Sequence, residues 1–303
     1  MSISTQGFWQ PQIGTTWQWQ LDANVNTSVN AMVFDIDASN SQGDITGSSI
    51  VSAVKAGYSN RRVICYVNVG SLETDGSRSD QNKFLPSDVG GQYPGWPKER
   101  FLDIRSQNVR NLMQARFQAM KASGCDAIEP DNMALDYQGK DGFTPPISQQ
   151  DGIEYINWFT GAVHTLGMAI GAKNGGAFFA KNPELVLLFE FVVVEECTAS
   201  PTNPCSLYDT FIRQGKPVFA ADYTDSGNTR GCTPITGSVA NACATLNAHN
   251  FDGIIKNCDL DVKVTQCRAF DGSAPGTAVT KSSDSRVVGQ SLVSIVGLFL
   301  FGL

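Results

Sequence analysis

Gly124-Cys125-Asp126-Ala127-Ile128-Glu129-Pro130-Asp131-Asn132 reads as a buried strand that ends in acid. Small or apolar residues come first, then two carboxylates, Glu129 and Asp131. They share a face because strand side chains alternate with period two. Pro130 removes a backbone donor, so the strand leaves the sheet here. Carboxylates crowded at a strand exit are costly unless something pairs with them or uses them.

Outward from this point, short apolar runs alternate with longer amphipathic segments. The strands expected are 17–21, 32–38, 62–70, 125–132, 168–174, 191–198, 217–224 and 253–257. Helical stripes run over 108–123, ending at Gly124, and over 153–166, with a shorter third at 238–250. Alternating strands and helices imply βαβ units and a parallel sheet. About eight units in roughly 250 residues fit a closed (β/α)8 TIM barrel. No G-x-G-x-x-G follows the first strand, which argues against a dinucleotide fold. The stretch 71–98 is too polar for a barrel helix and reads as an insertion after the third strand, over the active face. The chain is expected to be one domain over 1–270. After it come a polar spacer and an apolar tail, 271–303.

With 303 residues, 42% hydrophobic and 17% charged, the chain has an ordinary globular composition. A net charge of −7 and no basic stripe argue against a nucleic-acid partner. The same charge leaves room for a cationic substrate, although mild acidity also serves plain solubility. Eight cysteines and few charges suggest an oxidising compartment. Local bridges Cys197–Cys205, Cys232–Cys243 and Cys258–Cys267 are expected, with Cys65 and Cys125 as buried thiols. Asn26-Thr27-Ser28 is a glycosylation sequon. Small residues at 272–274, a Ser/Thr spacer and an apolar run from Val287 to Leu303 have the layout of a GPI-attachment signal; a short membrane tail is the other reading. The start lacks a signal-peptide pattern and reads as truncated. A secreted or cell-surface monomer is expected.

Barrel active sites use the carboxyl ends of strands. Those ends hold Gln18 and Gln20, Asp35 and Asp37, Tyr66 and Asn68 with Glu73 shortly after. Then come Glu129, Asp131 and Asn132, Lys173 and Asn174, Glu195 and Glu196, Asp222 and Tyr223, and Lys256 and Asn257. The repetition of polar ends after apolar starts is the signal. Each residue also has a structural reading: Asp35 and Asp37 as caps or ion-pair partners, Lys173 and Lys256 as counter-ions, and Asp222 and Tyr223 as rim. Of Glu195 and Glu196, period two lets only one face inward. Trp158 is expected in the core, and Trp96 is a candidate sugar-stacking platform.

Two histidines, both in helical stretches, make a multi-His metal centre unlikely and argue against a Ser–His–Asp triad. No cofactor is called for. What remains is carboxylate chemistry on a glycosidic bond, with a Schiff-base lyase on Lys173 as the alternative. A non-catalytic carbohydrate-binding protein on the same scaffold is the competing class.

Taken in order, Trp17-Gln18-Trp19-Gln20-Leu21, Cys65-Tyr66-Val67-Asn68-Val69-Gly70 with Glu73, Trp96 with Glu99-Arg100 and Leu102-Asp103-Ile104-Arg105 come first. Glu129-Pro130-Asp131-Asn132, Lys173-Asn174 and Glu195-Glu196-Cys197 complete the set. Together they resemble glycoside hydrolase family 114, the endo-α-1,4-polygalactosaminidases on a TIM barrel. The resemblance implies endo-hydrolysis of α-1,4-linked galactosamine, a cationic amino-sugar polysaccharide. By motif it implies Asp131 and Glu195 as the acidic pair; Asp131 is expected as nucleophile or base and Glu195 as general acid, with Asp35, Asn68, Glu129 and Lys173 around them.

Overall fold

The computed structural model describes residues 7–21, 25–39, 48–134, 139–227 and 231–269. In chain order the elements begin with β1 (Trp17–Gln20), β2 (Val33–Ile36), α1 (Ser48–Lys55) and β3 (Arg62–Asn68). An excursion follows with β4 (Ser71–Glu73), β5 (Val89–Gln92) and β6 (Glu99–Leu102), and then α2 (Gln107–Ala122). The alternation resumes with β7 (Ala127–Asp131), α3 (Gln149–Thr165), β8 (Ala169–Lys173), α4 (Gly176–Lys181) and β9 (Phe191–Glu195). It ends with α5 (Asp209–Arg213), β10 (Val218–Tyr223), α6 (Val239–Ala248), β11 (Asp252–Lys256) and β12 (Thr265–Gln266).

Eight parallel strands run β1-β2-β3-β7-β8-β9-β10-β11, and β12 adds antiparallel to β11. The last gap is closed by side chains. Trp17 Nε1 donates to the Asp252 carbonyl at 2.7 Å, and Gln266 Nε2 donates to the Trp17 carbonyl at 2.5 Å. All eight strands fall where period-two reading puts them: seven are one to three residues shorter at their ends, and the eighth is shifted by one residue. The fold is a (β/α)8 barrel.

Alternation divides the apolar residues into two cores. Val63, Cys65, Ile128, Ile170, Val192, Val194 and Ala220 face outward and pack on the helices. Trp17, Trp19, Ile64, Ala127, Ala169, Phe191, Val193, Phe219 and Ile254 fill the barrel. Large rings on one wall are matched by small residues on the other. A Cβ built on Gly171 would stand 2.2 Å from the Phe191 ring, so that ring fills space only a glycine leaves. Helix starts are fixed by serine. Ser106 caps α2, Ser238 caps α6, and Ser148 forms a capping box with Asp151 on α3. Trp158 on α3 is half-buried against the outer core, packed beside Tyr155 and Phe117.

The excursion after β3 extends to Leu102 and forms a three-stranded antiparallel sheet, β4-β6-β5. Buried Arg78 holds it to the barrel rim, pairing with Glu73 at 2.7 Å and Asp37 at 2.9 Å. Arg116 on α2 holds it from the other side through Asp80 at 2.7 Å.

Four disulfides are present, and only Cys197–Cys205 matches expectation. Cys232 bonds Cys258 and Cys243 bonds Cys267, crossing the pairs expected from nearness in sequence. The reason is tertiary: α6 folds back on β11, so Cys243 meets the segment after that strand. Cys65 and Cys125 are bonded to each other rather than free. The neighbouring strands β3 and β7 bring them together across the excursion and α2. Asn26 of the sequon is exposed, while the tail from 271 lies outside the described residues. Among the described residues no helix is long and apolar enough to cross a membrane.

Candidate active site

Three adjacent strands, β7, β8 and β9, end in Asp131, Lys173 and Glu195. Each is followed by a residue in the left-handed region: Asn132 at φ 54°, Asn174 at 48° and Glu196 at 61°. Asparagine tolerates that conformation; glutamate adopts it at a cost. At the two asparagines the turn lets the side chain bend back onto the site. Asn174 Nδ2 donates to Glu195 Oε2 at 3.1 Å and its Oδ1 accepts from the Glu195 amide at 2.9 Å.

Lys173 is the centre of the cluster. Its Nζ lies 3.1 Å from Glu129 Oε1, 3.2 Å from Glu195 Oε2 and 3.6 Å from Asp131 Oδ1, with the Trp19 ring centroid at 4.8 Å. Two phenols complete the donor set. Tyr66 donates to Asp131 Oδ2 at 3.0 Å, and Tyr223 donates to Glu195 Oε1 at 2.6 Å. Trp19 Nε1 donates to Glu129 Oε2 at 3.2 Å.

One lysine among three carboxylates sets the electrostatics. Burial would push the Lys173 ammonium down, but Asp131, Glu129 and Glu195 raise it well above the ordinary lysine value. Burial would raise Glu195, yet Lys173, Tyr223 and Asn174 hold it below the usual carboxylate range. Glu129 is raised by burial, partly offset by Lys173. Tyr66 is raised well above a free phenol, first by burial and then by Asp131.

Beside Asp131 the excursion contributes a fourth acid. Glu99 Oε2 accepts from Asn68 Nδ2 at 3.0 Å, from Asn132 Nδ2 at 3.2 Å and from the Ser71 hydroxyl. Burial raises Glu99, with Asp131 and Glu73 adding to the rise and Ser71 and Asn68 opposing it. Tyr93 in the same excursion is raised by burial and by the charges of Asp131 and Glu99. Trp19, Glu99 and Tyr93 were not among the site residues expected from sequence. Parity with buried Trp17 could have signalled Trp19; the excursion offers no periodicity to mark the other two.

Ten of the expected residues converge: Asp35, Tyr66, Asn68, Glu129, Asp131, Asn132, Lys173, Asn174, Glu195 and Tyr223. Asp37 and Glu73 are engaged by Arg78 at the rim. Three lie apart from the cluster. Asp222 falls between inward Ala221 and Tyr223, so it faces the helices and accepts from the Thr198 amide and hydroxyl at 3.1 and 2.9 Å. Glu196 accepts from the Thr233 amide at 2.8 Å. Lys256 reaches the seam, donating to Gln18 Oε1 at 3.0 Å and the Asp261 carbonyl at 2.5 Å. Trp96 is exposed at the turn before β6. Among the described residues no group of three or more His, Cys, Asp or Glu side chains is placed to hold a metal ion.

A closed parallel barrel with paired carboxylates at the carboxyl ends of its strands has the layout of the barrel glycosidases. The sequence profile of glycoside hydrolase family GH114 matches residues 2–270, and the chain belongs to that family. A solved structure of Aspergillus fumigatus Ega3, in complex with galactosamine, is similar with a TM-score of 0.72 and 33% identity, over 86% of this chain and 97% of that one. The glycoside hydrolase domain of Pseudomonas aeruginosa PelA is similar with a TM-score of 0.59 and 12% identity, over 83% of this chain and 98% of that one. At that identity the PelA likeness speaks to fold alone. Comparison by sequence with proteins of curated function returned no match.

Proposed function

We propose that the chain is an endo-acting hydrolase of α-1,4-linked galactosamine polymers, with Asp131 as nucleophile or base and Glu195 as general acid. The observation that carries this is the shared lysine: Lys173 touches both acids, so they open onto one space at the ends of β7 and β9. Contacts of 3.6 and 3.2 Å to one nitrogen keep those two oxygens under about 7 Å apart, close enough to flank a single linkage. Three carboxylates against one ammonium, with Glu99 beside them, give the cleft net negative charge, which suits a polycationic amino-sugar chain. The galactosamine bound in the related Ega3 structure supports the same substrate class.

Hydrolysis on this reading begins with the polymer laid across the cleft, one linkage between the two acids. Asp131 attacks or activates water on one face while Glu195 protonates the departing oxygen on the other. Lys173 moves its charge toward whichever carboxylate is ionised. One observation favours the reverse assignment: donors from Lys173, Tyr223 and Asn174 keep Glu195 ionised, as a nucleophile should be. As general acid, Glu195 would confine activity to the acidic side.

The test is digestion of partly deacetylated galactosaminogalactan, with oligosaccharide release followed by mass spectrometry and product anomers by NMR. Asp131→Asn and Glu195→Gln are each expected to keep the fold and polymer binding while losing hydrolysis by orders of magnitude. Full activity in either variant removes that residue from the mechanism. Polymer binding without release by the wild-type chain supports the non-catalytic carbohydrate-binding reading. The four disulfides suit an oxidising, extracellular setting.

A further inference from the structure

Asp35 is a carboxyl inside the barrel to which this mechanism gives no task. It is fully buried on β2, in register with Trp19 on β1 and Ile64 on β3, one layer deeper than Glu129. Neither of its oxygens receives a hydrogen bond from any donor in the described structure, whereas Glu129 has the Lys173 ammonium 3.1 Å from its Oε1. The acid it faces is Glu129. Two buried carboxylates set against each other with no donor between them cannot both be ionised.

We propose that Asp35 is a positioning residue: it keeps a proton, shares it with Glu129, and so holds Glu129 as the anion that keeps Lys173 between Asp131 and Glu195. The charged groups facing Asp35 are Glu129 on β7 and Lys173 on β8. The flanking strands present Trp19, Ile64 and the phenol of Tyr66, and Asp37 on its own strand is taken up by Arg78. Asp131 and Glu195 couple to it through the lysine they share with Glu129. Burial first, and then the charge of Glu129, drive Asp35 toward its neutral form, while its bond opposes the rise that burial imposes on Glu129.

Removing the donor has a definite consequence. Glu129 then takes up a proton itself and no longer balances Lys173. The lysine gives its whole charge to Asp131 and Glu195, and its hold on their anions strengthens. A residue that merely filled space would change stability without touching this balance.

Two readouts test the proposal, and the first does not depend on the hydrolase reading. Infrared difference spectra of the free chain near neutral pH should show a protonated-carboxyl band in the wild type that Asp35→Asn abolishes. Absence of the band, or its survival in Asp35→Asn, overturns the proposal. The second readout rests on the proposed activity. Asp35→Leu should shift the limbs of the kcat/KM pH profile down by about one unit, since a lost charge-assisted bond is worth roughly that much. Asp35→Asn, whose amide replaces the O–H donor, should restore the wild-type profile. Equal loss in both variants with unmoved limbs overturns it. Should Asp35→Leu not fold, the band and the Asp35→Asn profile decide. A wild-type chain inert on the polymer sinks the functional reading but leaves the infrared test standing.

Discussion

Tyr223→Phe separates the two possible roles of Glu195. The phenol is buried and donates to Glu195 Oε1 at 2.6 Å, and phenylalanine fills the same slot without the donor. A hydrogen bond to a charged group contributes about 1.5–3 kcal/mol, which corresponds to about 1–2 pKa units. Burial already pushes Glu195 upward and only its three donors hold it down, so losing one should carry it into or above the ordinary carboxylate range. The assay is the pH dependence of kcat/KM on soluble galactosamine oligomers. If Glu195 is the general acid, its protonated form persists to higher pH, and the basic limb moves up by about 1–2 units. If it is the nucleophile, the acidic limb moves up instead, because the required anion appears later. A profile with both limbs unmoved would refute the claim that Tyr223 keeps Glu195 ionised, whichever role that residue has.

Asp222 is buried among the helices with one oxygen unpartnered, and burial raises it to about 6. A carboxyl raised on folding binds its proton more tightly in the folded state, so this contribution is present below about pH 4 and lost as pH climbs to 6. Asp222→Asn should therefore be more stable than wild type at pH 7.5 by about 1–3 kcal/mol, with the difference vanishing near pH 4 in urea titrations, and it should retain hydrolysis. Gly171→Ala drives a methyl into the Phe191 ring at the layer under Lys173. It should cost about 1–3 kcal/mol, read as a lowered melting temperature, and an unchanged melting temperature would show that the ring has room to move.

What could be read from the sequence follows from period two. Most barrel strands were visible because their apolar residues run up to a polar carboxyl end, where Glu129 and Asp131, Lys173 and Glu195 stand. The same rule explains what stayed ambiguous. Glu195 and Glu196 are adjacent, as are Asp222 and Tyr223, and alternation admits one of each pair without saying which. The structure turns Glu195 and Tyr223 inward, where they bond each other, and leaves Glu196 and Asp222 to bind backbone amides outside. Lys256 misled because its strand borders the closure of the barrel, where Gln18 and the turn at Asp261 take its ammonium. Three of the four disulfides were out of reach for a different reason. Pairing by sequence distance ignores that adjacent strands bring Cys65 to Cys125 over a separation of 60 residues.

Lys173 is the residue whose meaning changed most between sequence and structure. A lysine at a barrel strand end is a natural candidate for Schiff-base chemistry, but that chemistry needs a neutral amine, which enzymes obtain by isolating the nitrogen from negative charge. Here three carboxylates stand within 3.6 Å and fix the proton in place. The arrangement makes sense as charge accounting for the acids. Without the lysine, buried Glu129 and half-buried Asp131 and Glu195 would repel one another, which favours protonation over three anions. With it, on the proposed reading, the site retains enough anion to attack an anomeric carbon and to receive the ammonium groups of a sugar chain. A single cation is thus few enough to leave the cleft negative and central enough to let opposite acids differ in protonation, which is the condition for acid and nucleophile to work as a pair.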